Sequence, residues 1–448
     1  MNDRSDAVAA LDEVGQLVER LRGRVSERLV ALARDRQRQG LGPWPEPERR
    51  SAGQRMLGEE LQADLAQRLN AGLPVPDRAV EERVIRLVED ALFGMGGLQR
   101  WLADPELEDL DAIGCDRVFA RFAGGRRERV GPIASSDEEL VEMLRQLAAT
   151  AGGAEERRFD RAVPRLNLQL PDGSRLLAVM AVSQRPSVSI RKHRFKTVTL
   201  PQLRARGMFD REVEGFLRLA ALARQNVVIA GGTGNGKTTL LRAVASAIPP
   251  EERLITIEDT YELGLHEDGI HDNVVALQAR EPNLEGVGEI TQAELVRWAL
   301  RMRPDRLLVG EVRGSEIVPM LNAMTIGNDG SLSTIHSSSS AGVFTKLAAY
   351  AAQSPERLSL EATNMLVASA LHFVVQLAWD TSGVRCVSSI REVIGADGRQ
   401  ITSNEIYRPG PDRRAVFACP LSGRAQEAFD QADRDFGPAT VPWKEEVA

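Results

Sequence analysis

Near the N-terminus, apolar residues recur at alternating spacings of three and four: Leu11, Val14, Val18, Leu21, Val25 and Leu32, with Arg28 in one apolar slot. This predicts one long helix over residues 7–38 with a coiled-coil-like seam, which could dock a partner helix or pack against its own domain. Gly15 and Gly23 each cost about 1 kcal/mol relative to alanine, which argues against a stable isolated coil. Residues 42–47, rich in proline, read as a loop, and residues 51–70 and 76–93 as two further helices. Residues 1–93 are therefore expected to form a helical N-terminal extension.

From Gly94 the pattern becomes mixed α/β. Val118 and Ala120 alternate with Arg117, Phe119 and Arg121, and Gly124-Gly125 marks the turn of a hairpin over 117–130. Ser136 with Glu139 reads as a capping box, and Leu140, Met143, Leu144 and Leu147 form one apolar helix face. Strands are expected at 165–170, 176–182 and 187–191, which makes residues 94–195 a small α/β domain. Residues 196–203 read as a linker. A second domain, 204–448, alternates helix and strand: a helix at 210–222, a strand at 226–230, a helix at 240–247 and a strand at 253–257. A helix capped by Thr291 and Glu294 and strands at 306–309 and 332–335 follow. Such alternation implies a parallel sheet with its active site at the strands' C-terminal ends.

Composition narrows the classes. The chain has 448 residues, 43% hydrophobic and 27% charged, as expected of two or three soluble domains. A net charge of -7 and 4% aromatic content argue against a nucleic-acid motor, which needs a basic, aromatic-studded channel. The apolar stretch 366–379 is broken by Ser369, His372 and Gln376, and no run approaches the ~20 residues of a membrane span. The N-terminus lacks a basic-then-apolar leader, so a cytoplasmic location is expected. Cys115, Cys386 and Cys419 are far apart and read as idle thiols, not as a zinc or redox site.

The chemistry starts at Gly231-Gly232-Thr233-Gly234-Asn235-Gly236-Lys237-Thr238, followed by Thr239. A glycine, four free positions and Gly-Lys-Thr, placed between a buried strand and a helix, form a phosphate-binding P-loop. The glycines let backbone N–H groups turn onto a phosphate chain, and the helix presents its positive end to the same anion. Lys237 would hold the β/γ-phosphates of ATP and Thr238 its Mg2+. An NTP-hydrolysing site also needs a carboxylate to orient water, a metal shell and a γ-phosphate sensor. Glu258 and Asp259, with Glu262 one turn on, end one strand; Glu311 follows a second, with Gly310 where an Asp usually stands; His336 ends a third.

The P-loop, Ile257-Glu258-Asp259, the run 301–305 leading to Val309-Gly310-Glu311-Val312-Arg313-Gly314, and Gly330 to His336 together resemble the type II/type IV secretion and pilus-assembly ATPase superfamily. Ala279 to Gly286 with Gly288 to Gln292 is most similar to its Tad/CpaF branch. The resemblance covers residues 90–395 or so, and Gly-Glu at 310–311 is the family's own form. It implies an α/β fold: a RecA-like P-loop NTPase domain with a parallel sheet, preceded by a smaller α/β domain. It also implies a cytoplasmic homohexamer on the inner face of the membrane, acting on an inner-membrane platform protein. Carried over residue by residue, Glu311 would orient the water, and Glu258 would serve as metal-shell ligand or alternate base. Arg175 and Arg191 would reach the nucleotide from the N-terminal domain. Arg280, and less directly Arg301 or Arg303, would stabilise transferred charge at the subunit interface.

Ile326, Asn328 and the serines at 337–340 depart from that pattern, and Pro319 sits early in a helix, where it removes one backbone donor. The four cysteines of a type II zinc insert are absent. Signatures of ATP-binding cassettes and GTPases are absent as well. An adaptor that binds ATP without turnover remains the main alternative, and a ring motor acting on nucleic acid the other.

Overall fold

The structure, a computed structural model, describes residues 2–39, 44, 46–93, 96–151, 158–170, 172–192, 197–282 and 286–437. The chain divides into two compact units, Met1–Arg194 and Phe195–Ala448.

The first unit begins with α1 (Asn2–Arg38), α2 (Glu46–Asn70) and α3 (Arg78–Phe93). Leu17, Leu21, Val25 and Leu29 of α1 are buried against Met56, Leu57, Val84 and Val88. The seam thus packs within its own unit along much of the expected line: Leu21 and Val25 are buried and Val14 and Val18 half-buried on it, Leu17 and Leu29 join them, and Leu32 is 40% exposed. Arg28 is accommodated because it pairs with Glu59 at 2.6 Å and Glu60 at 3.0 Å on α2. Of the break expected at 42–47, residues 42, 43 and 45 lie outside the described residues, and Glu46 and Pro47 already open α2.

Next come α4 (Gln99–Leu102), β1 (Leu107–Ile113), β2 (Arg117–Phe122), β3 (Arg127–Val130), α5 (Asp137–Ala151), β4 (Arg165–Gln169), β5 (Arg175–Val179) and β6 (Ser187–Arg191). They form an antiparallel sheet of order β3-β2-β1-β6-β5-β4. Period-two alternation places Leu110, Val118, Leu176 and Ile190 on one face, in a common core with Leu140 and Leu144 of α5. β1 escaped the sequence reading because its outer positions are Asp109 and Asp111. At the start of α5, Ser136 Oγ accepts from Glu139 N at 3.2 Å, but the Glu139 carboxylate accepts from Ser135 N at 2.7 Å, so the capping box is only half formed.

The second unit opens with α6 (Leu200–Ala205), inside the stretch expected to be linker. A Thr199/Gln202 capping box starts this helix, and Leu200 and Leu203 are buried in the unit's core, so the segment belongs to the unit. The chain continues through α7 (Arg211–Leu222), β7 (Val227–Gly231), α8 (Lys237–Ala245), β8 (Leu254–Glu258), β9 (Val274–Gln278), α9 (Gln292–Ala299), β10 (Arg306–Val312), α10 (Ile317–Ala323), β11 (Leu332–His336), α11 (Gly342–Gln353) and α12 (Leu360–Ala370). It ends with β12 (Phe373–Trp379), β13 (Arg385–Ala396), β14 (Ile401–Pro409), β15 (Ala415–Phe417) and α13 (Gly423–Phe436).

The sheet order is β15-β14-β13-β12-β7-β11-β10-β8-β9. From β12 to β9 all pairings are parallel; β13 to β15 add an antiparallel edge that the sequence reading did not foresee. Val227, Ile229 and Leu308 face one apolar layer and Val228, Ile257 and Val309 the other. Burial on both faces is why the parallel strands read as continuous apolar runs. This is the architecture of a RecA-like P-loop domain, preceded in the chain by N-terminal helices and a smaller α/β region. Arg306, 0% exposed, is held at the start of β10 by Glu252 at 2.8 and 2.7 Å and by the Ala221 carbonyl at 2.6 Å. Among the described residues no helix is long and apolar enough to cross a membrane.

Candidate active site

β7 ends at Gly231, and the loop that follows turns through Gly234 (φ 76°) and Gly236 (φ 89°), conformations L side chains rarely adopt. α8 then starts at Lys237. A Cβ at Gly231 would stand 3.1 Å from the Leu377 carbonyl, so residue 231 is also glycine for lack of room. Asn235 is buried and donates from Nδ2 to that carbonyl at 3.0 Å, tying the loop to β12. Gly232 and Thr233 are exposed at the loop's tip, and Thr238 and Thr239 are half-buried on the first turn of α8. The backbone cradle and helix N-terminus fit a phosphate chain.

Lys237 Nζ donates to the Gly232 carbonyl at 3.1 Å and lies 3.2 Å from His336 Nδ1. His336 Nε2 is 2.6 Å from Glu311 Oε1. Burial pushes the His336 pKa below its ordinary value, although Glu311 opposes the shift. A neutral imidazole can accept at Nδ1 from Lys237, while its Nε2 stands against the Glu311 carboxylate. The line continues through Arg313, which bonds the other Glu311 oxygen and lies 3.3 Å from Asp259. Strand register explains the convergence: β7, β11 and β10 are adjacent parallel strands whose C-terminal ends carry Gly231, His336 and Glu311. Gly310 and Glu311 are within β10, not beyond it as the sequence suggested.

On the other side of the loop, Thr238 Oγ1 donates to Glu262 Oε2 at 3.2 Å. Glu258, 3% exposed, accepts at Oε1 from the backbone N–H groups of Glu262 and Leu263, both at 2.9 Å. Among the described residues no group of three or more His, Cys, Asp or Glu could hold a metal. A Mg2+ ion would therefore depend on Thr238, nearby carboxylates and the phosphates themselves, as is usual for this ion.

Arg280, exposed after β9, donates from Nε to the Gly288 carbonyl at 2.7 Å and so pins its own loop; residues 283–285 of that motif lie outside the described residues. Arg301 and Arg303 are exposed beyond α9. Arg175 and Arg191 belong to the first unit, where they are register partners on β5 and β6, and Arg191 Nε lies 3.0 Å from Asp109. Ile326 is 63% exposed, and Ser340 of the serine run bonds Ser389 of β13 at 2.9 Å.

One contact went unread in the sequence. Arg385, the first residue of β13, donates from Nε to the Gly234 carbonyl at 2.8 Å. No motif marks it; the hairpin-type Asp397-Gly398 and the β-branched Ile401-Thr402 could have signalled its sheet.

Residues 101–406 match the type II/IV secretion system protein family. VirB11 of Agrobacterium fabrum is 31% identical over 305 residues, covering 61% of this chain and 86% of VirB11. The type IV secretion system protein PtlH of Bordetella pertussis is 35% identical over 309 residues, covering 63% and 88%. The solved VirB11 ATPase of the Brucella suis type IV secretion system, in complex with sulphate, is similar over 66% of this chain and 94% of its own, with 28% identity and a TM-score of 0.35.

Proposed function

The chain belongs to the type II/IV secretion system protein family, and from that premise we propose that it is the ATP-hydrolysing motor of a secretion or pilus-assembly machine. The supporting observation is the line Lys237–His336–Glu311, which joins the lysine of the phosphate loop to a carboxylate through an imidazole. Mg-ATP supplies the transferable γ-phosphoryl group and the cation that neutralises its charge. Gly231 to Thr239 wrap the phosphates, and Lys237 places its charge on the β/γ oxygens. Thr238 and Glu258 complete the metal's surroundings, the latter with Glu262 beside it. Glu311 orients the attacking water, and His336 senses the γ-phosphate from between Lys237 and Glu311.

We further assign Arg280 to transferred charge at a subunit interface and Arg175 and Arg191 to nucleotide contact from the first unit. The working form is a homohexamer at the cytoplasmic face of the inner membrane, driving a platform protein there. The residues at 279–292 support placement in the Tad/CpaF branch. The test is the ATPase rate per subunit against protein concentration, with light scattering in ATP. Turnover that climbs as a ring assembles is expected. Concentration-independent turnover by a monomer contradicts the ring, and binding without turnover leaves an adaptor.

A further inference from the structure

We propose that Arg385 is a positioning residue for the phosphate loop, holding the Gly234–Asn235 peptide from a braced hairpin so that Mg-ATP binds tightly. The inference rests on the reading of this loop as an ATP site.

Register brings Arg385 to the loop. β12 runs parallel to β7 with Leu377 opposite Gly231, and Trp379, two residues on, is opposite Arg385 across the β12–β13 hairpin. From there the guanidinium lies 4.9 Å over the Trp379 ring and bonds the Gly234 carbonyl, while its Cδ sits 3.7 Å from where a Cβ on Gly236 would be. Arg385 therefore bonds one left-handed glycine of the loop and flanks the other.

The bonded carbonyl belongs to a left-handed glycine of the loop. A peptide beside glycine turns over readily, and turning the 234–235 peptide would exchange the places of its N–H and carbonyl within the cradle. A charge-assisted bond on that oxygen opposes the turn. The N–H of the same peptide, Asn235 N, donates to the Gly232 carbonyl at 3.4 Å, and the Asn235 side chain donates from Nδ2 to the Leu377 carbonyl at 3.0 Å.

The hairpin is braced well enough to serve as the anchor. Asp380, 7% exposed, accepts from Ser382 N at 2.9 Å, Ser382 Oγ at 2.7 Å and Val384 N at 2.8 Å. It also pairs with Arg414 at 2.7 Å, and Arg414 in turn donates to the Gly207 carbonyl at 2.7 Å. Val387 N donates to the neighbouring Met208 carbonyl at 3.0 Å. A side chain anchored this way loses little further freedom when the loop takes up its ligand.

The test uses the full chain with Mg-ATP and Mg-ADP, read by titration calorimetry and steady-state kinetics, in the wild type, Arg385→Gln, Arg385→Lys and Trp379→Leu. Arg385→Gln is expected to raise Kd and KM about tenfold, the worth of one charge-assisted bond, with kcat changed less than about threefold. Arg385→Lys should recover most of that affinity, and Trp379→Leu should cost about threefold through the lost stack. The denaturation midpoint without nucleotide should match the wild type in all three. Unchanged affinity in Arg385→Gln overturns the proposal. So does an affinity loss that tracks a lowered midpoint and is not rescued by lysine. A wild type that binds neither nucleotide overturns the ATP-site reading too, whereas a wild type that binds and an Arg385→Gln that is unmoved overturn this inference alone.

Discussion

A Cβ on residue 310 would stand 3.0 Å from Glu258 Cγ and 3.3 Å from Glu258 Oε1. Glu258 cannot easily withdraw, because two backbone N–H groups hold its carboxylate in place. The glycine ahead of Glu311 and the buried acid at the end of β8 therefore share one space, and an aspartate at 310 would not fit beside Glu258. Gly310→Ala is expected to destabilise the chain by about 1–3 kcal/mol through overpacking. Removing the Glu258 side chain in that background should return part of the loss, so that a urea-unfolding cycle of Gly310→Ala and Glu258→Ala is non-additive. Additive effects would contradict the shared space.

The Arg306–Glu252 pair makes a second prediction. Arg306 is 0% exposed, and two of its three nitrogens bond Glu252. Glu252→Gln leaves that guanidinium buried without its counter-charge and should destabilise the second unit by about 3–5 kcal/mol, measured by chemical denaturation. Gly330→Ala should act at the same place, because its Cβ would stand 2.5 Å from Arg306 Nη1 and its φ is 90°.

A third prediction concerns pH. Burial pushes His372 below its ordinary value of 6.5, and the Asn226 N–H donates to its Nδ1 at 2.9 Å, which requires the neutral ring. Because the folded pKa is depressed, the unfolded chain takes up a proton first as pH falls through 6.5. Stability present at pH 7.5 should then decline toward pH 5.5, by up to about 1.4 kcal/mol per pH unit for each such histidine. His372→Asn keeps an acceptor for Asn226 and should show a smaller drop in urea midpoint between these pH values. Equal drops would place the titration elsewhere; His336, depressed by burial as well, accounts for the remainder.

What the sequence disclosed was what is local. The P-loop is written in consecutive residues, and the doubly buried strands ending at Gly231, Glu258 and His336 appear as apolar runs. The antiparallel edge was not legible, because β13 is buried along most of its length and does not alternate. Nor was β1, whose outer face is acidic. The contacts that shape the site join residues far apart in the chain: Glu258 to Gly310, His336 to Lys237, Arg385 to Gly234. Each depends on strand register, here the pairing of Val309 with Ile257 and of His336 with Gly231, which no single segment encodes.

In the proposed function Glu311, next to His336 and linked through it to Lys237, orients the water that attacks ATP. The most direct measurement is phosphate release from Mg-ATP by the wild type and by Glu311→Gln, at protein concentrations where both bind ATP by calorimetry. Steady turnover by the wild type is expected, with a loss of at least about a hundredfold in Glu311→Gln and ATP affinity within about threefold. Turnover by Glu311→Gln within a few fold of the wild type would contradict it and move the role of base to Glu258.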